Sequence, residues 1–312
     1  MITNKEKNFV SAVIYVYNNE NEIKEICKKI NNVLKQNFEK YEIICVNDAS
    51  TDNSLRKIED FAQELEDEVL NVINMSYYQG TENAMNAGVD LAIGDFVYEF
   101  DNILNDYDSK TIMDIYYKSL EGFDIVSAIS KNNKHRISST FYKVFNSFSN
   151  MEYKLQTENF RILSRRAINR IHSISKDIPY RKAIYANCGL KMYHLVYDSK
   201  STIRRNTNRK VNQNKIETAV NSLILFTNIG YKFASFMSIL MIMITVLVAI
   251  YTSVIFISNN PVQGWTTTML FLSFCFCGLF IIMTIIIKYL EILLKLTFRK
   301  NTYMIESINK LN

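Results

Sequence analysis

The stretch Tyr41-Glu-Ile-Ile-Cys-Val-Asn-Asp-Ala-Ser-Thr-Asp52 is the part of the sequence that indicates the fold most clearly. A run rich in β-branched residues leads directly into a polar turn, which is typical of a buried strand followed by a helix. The same order recurs on both sides of it. Strands are predicted at residues 9–16, 41–46, 69–75, 95–100 and 123–129, with apolar-striped helices between them. This alternation predicts an α/β fold with a mostly parallel sheet flanked by helices.

A second region of the chain is strongly apolar. No charged residue occurs between Lys232 and Lys288, although the chain as a whole has 36 Lys and Arg against 31 Asp and Glu. Residues 233–257 and 267–287 each reach the length of about 20 residues that crosses a bilayer. Basic residues flank this pair and the connecting loop is uncharged, so both termini are expected on the cytoplasmic side of the plasma (inner) membrane. The alternative is a buried helical hairpin in a soluble protein.

Four segments follow from this division. Residues 1–211 are expected to form a cytoplasmic α/β domain, 212–231 an amphipathic juxtamembrane helix, 232–290 a two-helix transmembrane hairpin and 291–312 a basic cytoplasmic tail. The amphipathic pattern is equally consistent with a helix on the membrane surface and with one packed on the α/β domain. The formal charge of +5 is small and dispersed, and it predicts no nucleic-acid partner. The five scattered cysteines favour free thiols in a reducing compartment.

Polar residues follow three of the predicted strands at the point where each strand ends. These residues are Tyr17 with Asn18, Asn47 with Asp48, and Asp101 with Asn102. In an open α/β sheet, ligands bind at the carboxyl ends of the strands. A carboxylate there can bind a nucleoside or hold a divalent cation on a diphosphate. Capping of the next helix is the alternative explanation, and it is the simpler one for Ser50, Thr51 and Asp52.

Four motifs in this order are similar to those of family 2 glycosyltransferases, which have the GT-A fold. They are Val13-Ile-Tyr-Val-Tyr-Asn-Asn-Glu-Asn-Glu22, Val46-Asn-Asp-Ala-Ser-Thr-Asp52, Gln79-Gly-Thr-Glu-Asn-Ala-Met-Asn-Ala-Gly88 and Gly94-Asp-Phe-Val-Tyr-Glu-Phe-Asp101. Further along, Phe160-Arg-Ile-Leu-Ser-Arg165 resembles an element of the polyprenyl-phosphate branch, which includes dolichyl-phosphate mannose synthase and the bactoprenol glucosyltransferases. The resemblance implies an enzyme that moves a sugar from a nucleotide-sugar donor to a polyprenyl phosphate at the cytoplasmic leaflet.

The resemblance also implies roles for individual residues. The residues expected to bind the nucleotide are Tyr17, Glu20, Asp48 and Gly80. Asp101, together with Asn105 or Asp106, is expected to hold a divalent cation, magnesium or manganese, at the diphosphate. Arg161 and Arg165 are expected to face the acceptor phosphate, because a forked guanidinium group suits a phosphate. The alternative for these two arginines is solvated charge that faces lipid headgroups.

The fourth motif departs from the D-x-D pattern of the family. It continues Asp101-Asn102-Ile103, so an isoleucine, which cannot be a metal ligand, stands at the second carboxylate position. This departure is the reason for a rival hypothesis, a catalytically inactive glycosyltransferase-like subunit or scaffold in a cell-surface glycan pathway. A third hypothesis is transfer to a lipid-linked or other glycan, which needs a general base such as Asp106 or Asp108. The sequence leaves open whether the chain forms a homo-oligomer through its membrane helices.

Overall fold

The fold is described from a computed structural model of the chain. The structure describes residues 5–103, 106–131, 136–149, 151, 153–174, 180–199, 209–227, 264–298 and 303–311, with isolated positions between 229 and 247. Its described residues fall into two compact units, one of residues 1–219 and 300–312 and the other of residues 220–299.

The first unit is built around one sheet. Its strands are β1 Val10–Val16, β2 Tyr41–Asn47, β3 Val69–Met75, β4 Phe96–Phe100, β5 Ile125–Ser130, β6 Phe160–Ser164, β7 Met192–Tyr197 and β8 Ile305–Lys310. The strand order is β7-β5-β6-β4-β1-β2-β3-β8. Strands β3, β2, β1 and β4 are parallel, as are β5 and β7, whereas β6 and β8 run antiparallel to their neighbours. The five predicted strands are confirmed, and the sheet, which was predicted to be mostly parallel, is mixed.

Helices connect the strands. They are α1 Ile23–Asn37, α2 Ser54–Ala62, α3 Thr81–Leu91, α4 Ser109–Leu120, α5 Arg136–Phe148, α6 Arg165–Ile174, α7 Arg181–Ala186, α8 Arg209–Phe226 and α9 Trp265–Phe298. In α1 the apolar stripe predicted from the sequence is the buried face, with Ile23, Ile26, Ile30 and Leu34 at most 1% exposed. Strand β1 is buried along its whole length, which explains why its sequence is a continuous apolar run rather than an alternating one.

The last strand was not predicted. The sequence assigned residues 291–312 to a separate tail, but Ile305–Lys310 pairs with β3 and forms one edge of the sheet. The pairing joins residues at least 230 positions apart, Ile73 opposite Ile308 for example, so no local sequence pattern predicts it. The alternating burial of Ile305, Glu306 and Ser307 is short and leaves most of the strand exposed.

The two membrane spans were predicted from the sequence alone. Among the helices that the structure describes, none combines the length with the apolar character needed to cross a bilayer. Most of the first predicted span, residues 233–257, lies outside the described residues, and the second, 267–287, falls within α9. Both spans stay predictions.

Candidate functional site

The parallel strands β3, β2, β1 and β4 end at the same edge of the sheet, and the loops that follow them contact one another. The backbone N–H of Asn18 donates to Ser50 Oγ over 3.1 Å, and the N–H of Thr51 donates to Asn18 Oδ1 over 2.8 Å. The polar residues after β1 and β2 therefore meet, as the sequence predicted. Asn18 and Ala49 have positive φ angles of 52° and 54°. Where these loops meet, two residues other than glycine therefore adopt the left-handed conformation.

Asp48 lies in the interior beneath this edge, with no exposed surface. Its carboxylate accepts hydrogen bonds from the N–H groups of Gln79 (2.7 Å) and Gly80 (2.8 Å) and from the hydroxyl of Tyr15 (3.0 Å). Burial, with the nearby Asp48 charge, raises the pKa of Tyr15 well above its usual value, so this hydroxyl stays a donor. The sequence predicted that Asp48 contacts the nucleotide. In the structure it holds the turn between β3 and α3.

Gly80 ends that turn immediately before α3. Its φ of +85° is a conformation that favours glycine. A Cβ at this position would also lie only 2.8 Å from Asn214 Nδ2 of α8. Gly80 thus allows Asn214, near the start of α8, to lie close to the turn.

The other two residues predicted to bind the nucleotide lie on the loop after β1. The ring of Tyr17 is partly exposed and lies 4.4 Å from the ring of Tyr78, measured between centroids. Glu20 Oε2 accepts from the backbone N–H (2.9 Å) and the side-chain amide (3.0 Å) of Asn53, the residue before α2. Tyr17 and Tyr78 therefore offer aromatic surface at the edge, while Glu20 caps a helix.

Asp101 follows β4, and two arginines hold its carboxylate. Arg181 Nη2 donates to Oδ1 over 2.6 Å, and Arg161 Nη2 donates to Oδ2. Burial raises the pKa of Asp101, but the guanidinium groups of Arg161 and Arg181 outweigh it and hold that pKa well below its usual range. Asp101 is thus an ionised carboxylate between two cations.

Both arginines are buried, with side chains only 1% exposed, and they share a second carboxylate. Arg161 Nη1 lies 2.9 Å from Glu99 Oε2, and Arg181 Nη1 lies 2.9 Å from Glu99 Oε1. Glu99 also accepts from the hydroxyl of Tyr185 over 2.7 Å. Since Glu99 lies directly opposite Arg161 on the paired strands β4 and β6, the register of the sheet fixes this contact.

Two further carboxylates complete this charge cluster. Arg181 Nε lies 3.1 Å from Glu82 Oε2 on the first turn of α3, and Arg161 Nε lies 3.2 Å from Glu158 Oε2. Lys182, next to Arg181, has its ammonium 3.4 Å from the hydroxyl of Tyr142. The sequence predicted that Arg161 faces an acceptor phosphate. In the structure all three of its nitrogen groups lie against carboxylates.

Arg165 lies at the other end of the strands, where β4 begins. Its guanidinium donates to the carbonyl oxygens of Ala92 (2.8 Å) and Gly94 (3.0 Å from Nε), just before β4 begins. Because β6 runs antiparallel to β4, Arg161 at its start and Arg165 after its end lie at different edges. The structure does not bring Arg165 to Asp101.

The groups around Asp101 determine whether a divalent cation fits the predicted metal site. Each oxygen of Asp101 already accepts from a guanidinium, and Ile103 offers no ligand atom. Asn105 lies outside the described residues. Across the part of the chain that the structure describes, no three His, Cys, Asp or Glu residues are grouped to hold a metal ion. The donor set in this arrangement does not fit a divalent cation.

The two candidate general bases also have other partners. Asp106 is buried and accepts from the hydroxyl of Tyr197 over 3.1 Å and from the amide of Asn159. Asp108 accepts from the N–H of Lys110 over 3.2 Å and caps α4. Both carboxylates therefore accept hydrogen bonds from the protein itself.

Sequence reasoning missed part of the cluster. Glu99 stands within the buried run Phe96-Val-Tyr-Glu-Phe100, and Arg161 within Phe160-Arg-Ile-Leu163. A charged residue in a buried strand requires a partner, so these two opposite charges carried a signal for their pairing. Arg181 carried none, because it begins a short helix after an unpatterned segment.

Comparison with known proteins agrees with this fold. Residues 11–102 match the sequence model described as Glycosyl transferase family 2. An uncharacterized glycosyltransferase of Synechocystis sp. is 30% identical over 195 residues, which are 61% of this chain and 60% of the relative. The undecaprenyl-phosphate 4-deoxy-4-formamido-L-arabinose transferase of Proteus mirabilis is 33% identical over 135 residues, 43% of this chain and 40% of the relative.

A solved structure has a similar fold. It is a mannosyltransferase from Pyrobaculum calidifontis in complex with GDP-Man and Mn2+, with a TM-score of 0.52 at 14% identity. The superposition covers 70% of this chain and 64% of that one. Residues 11–102 of this chain are therefore similar to glycosyltransferase family 2, and its α/β domain has a GT-A-like fold.

Proposed function

We propose that the protein transfers a sugar from a nucleotide-sugar donor to a polyprenyl phosphate at the cytoplasmic face of a membrane. The observation that carries this proposal is the charge cluster of Asp101, Arg161 and Arg181 at the end of β4, on the edge where the parallel strands end. Ligands of open α/β sheets bind at that edge. The Proteus mirabilis relative, an undecaprenyl-phosphate transferase by name, supports a lipid phosphate as acceptor.

The donor nucleoside is proposed to bind against Tyr17 and Tyr78, because their paired rings offer aromatic surface on the same edge. Its diphosphate then lies towards the first turn of α3, whose backbone N–H groups and positive dipole end favour an anion. Lys182, whose ammonium lies 3.4 Å from the hydroxyl of Tyr142, adds a cation next to Arg181. Asp101 in turn keeps Arg181 in place beside Glu82.

A phosphate acceptor does not require a general base. A phosphate monoester is already an anion near pH 7, since its second pKa is about 6. The protein then has to align the acceptor with the donor and stabilise the charge of the departing diphosphate. Transfer to a glycan hydroxyl would require a base, and both Asp106 and Asp108 already accept hydrogen bonds from neighbours.

Mn2+ accompanies GDP-Man in the structure of the Pyrobaculum calidifontis mannosyltransferase, which supports a divalent cation for this fold in general. In this chain the two arginines lie at the Asp101 oxygens, and no step of the proposed mechanism depends on a metal ion. The two predicted membrane spans are proposed to keep the domain at the inner membrane, where an acceptor confined to the bilayer can reach it.

The test is transfer of label by the full chain in membranes or detergent. Labelled UDP- and GDP-sugars are offered with polyprenyl phosphate, and product is measured in the chloroform phase. Asp101→Ala should abolish the product. Asp124→Ala is the matched control, because Asp124 is also paired with an arginine, Arg166, but lies before β5 at the opposite edge.

A chloroform-soluble product that is formed by the wild type and Asp124→Ala but not by Asp101→Ala supports the proposal. Equal activity of the two variants refutes the assignment of the site. If the folded wild type gives no product with any donor, the rival hypothesis of a non-catalytic glycosyltransferase-like subunit is favoured.

A further inference from the structure

The C-terminal segment of the chain contacts the turn that Asp48 holds. Gln79 Nε2 donates to the carbonyl oxygen of Met304 over 2.6 Å, and the N–H of Met304 donates to Gln79 Oε1 over 2.9 Å. The carbonyl of Met304 also accepts from the N–H of Ser76 over 3.1 Å. The side-chain amide of Gln79 thus pairs with one backbone residue just before β8 and uses both its donor and its acceptor.

This pairing is a second contact of the turn, in addition to that with Asp48. The N–H of Gln79 donates to Asp48, while its side chain reaches the C-terminal segment. The next residue, Gly80, also donates to Asp48 and lies against Asn214. Two separate parts of the chain, at Asp48 and Met304, therefore hold these consecutive residues, and Asn214 lies close to the second.

The turn carries the surface on which the proposed donor binds. Tyr78, whose ring contacts Tyr17, directly precedes Gln79, and α3 begins at Thr81. A change in the backbone at Gln79 would move both the aromatic surface and the first amides of α3. Misplacement of about 1 Å is enough to weaken an oriented site strongly.

We propose that Gln79 is a positioning residue, through which the C-terminal segment at Met304 holds the β3–α3 turn in the geometry that receives the donor nucleotide. The inference rests on the proposed function, since it assigns the turn to the donor site. In this inference β8, which follows the second unit in sequence, belongs to the first unit and supports its donor site.

The test measures binding of UDP and GDP to the full chain in detergent, by calorimetry, for the wild type and Gln79→Ala. Loss of the paired hydrogen bonds should raise the Kd by about tenfold. The matched control is Ser307→Ala, which removes the hydrogen bond from Asn74 Nδ2 to Ser307 Oγ (3.1 Å) on the same strand pair without touching the turn. It should leave the Kd within about twofold of the wild type.

A positioning role also predicts how turnover changes. Gln79→Ala should raise the donor KM while the acceptor KM stays constant, and its thermal midpoint should match that of Ser307→Ala. Met304→Pro, which removes the N–H that donates to Gln79, should reproduce the higher Kd, whereas Met304→Ala should not.

If the wild type binds UDP or GDP and Gln79→Ala binds it equally well, this inference is wrong and the proposed function stands. An equal rise in Kd for Ser307→Ala would also overturn it, because the strand would then act only through stability. If the wild type binds neither nucleotide, the donor site itself is wrong, and the inference falls with it.

Discussion

Replacing Arg161 by methionine should lower the free energy of unfolding by about 3–5 kcal/mol, the usual result of removing one partner from a buried ion pair. Methionine keeps much of the apolar stem but removes the guanidinium group, with its charge and its hydrogen-bond donors. The guanidinium is 1% exposed and lies against Glu99 (2.9 Å), Glu158 (3.2 Å) and Asp101. At pH 7 Asp101 is ionised, because its pKa is held below the usual range. The loss is large against a total stability of about 5–15 kcal/mol.

The measurement is urea unfolding of the full chain in detergent, followed by proteolysis of the unfolded fraction. With a slope of about 2.5 kcal/mol per M, the midpoint should fall by about 1–2 M. Arg161→Lys keeps the charge but cannot reach three carboxylates, so its midpoint should lie between those of the wild type and Arg161→Met. Lys131→Met is the control, because Lys131 and Asp198 form a pair whose side chains are 70% and 83% exposed. Its midpoint should not change.

A loss of less than about 1 kcal/mol in Arg161→Met would refute the reasoning. It would mean that Arg161 does not supply the charge that allows Glu99, Glu158 and Asp101 to be buried together. An effect of the same size in Lys131→Met would refute it as well, because burial would then not be what makes the pair strong.

Three further predictions follow from other sites. The hydrogen bond from His172 Nε2 to Asp90 (2.9 Å) raises the pKa of His172 in the folded protein. The protonated imidazole therefore stabilises the fold fully below the unfolded pKa of about 6.5, and this stabilisation is lost as the pH rises through the folded pKa. The urea midpoint of the wild type should therefore fall between pH 6 and 8, and that of His172→Gln should fall less; parallel curves would contradict this. Mn2+ added without nucleotide should give the same titration, by electron paramagnetic resonance, with the wild type and Asp101→Asn, because Arg161 and Arg181 lie at both oxygens of Asp101; a site lost in the variant would disprove it. Ala49→Gly should stabilise the protein by up to about 1 kcal/mol in urea unfolding, since Ala49 has a φ of 54° and glycine relieves that strain, and a lower midpoint would count against it.

The elements that repeat locally were predicted well from the sequence. The apolar run of β1 and the stripe of α1 are properties of neighbouring residues, and both have the burial that their periods predict. The order of strands and helices then places Asn18, Asp48 and Asp101 at one edge, because parallel strands end on the same side. The sequence also contains Glu99 and Arg161, two opposite charges within apolar runs, but their pairing was not predicted from it.

The direction and the partner of each side chain were decided by the tertiary structure. Asp48 was predicted to bind a ligand, yet it faces inwards because Gln79 and Gly80 bring two N–H groups to it. Arg181 reaches Asp101 across 80 positions, and Met304 reaches Gln79 across 225. A local pattern shows that a residue is polar and where its strand ends. Only the packed chain determines which distant group meets it, because burial and charge pairing depend on neighbours in space rather than in sequence.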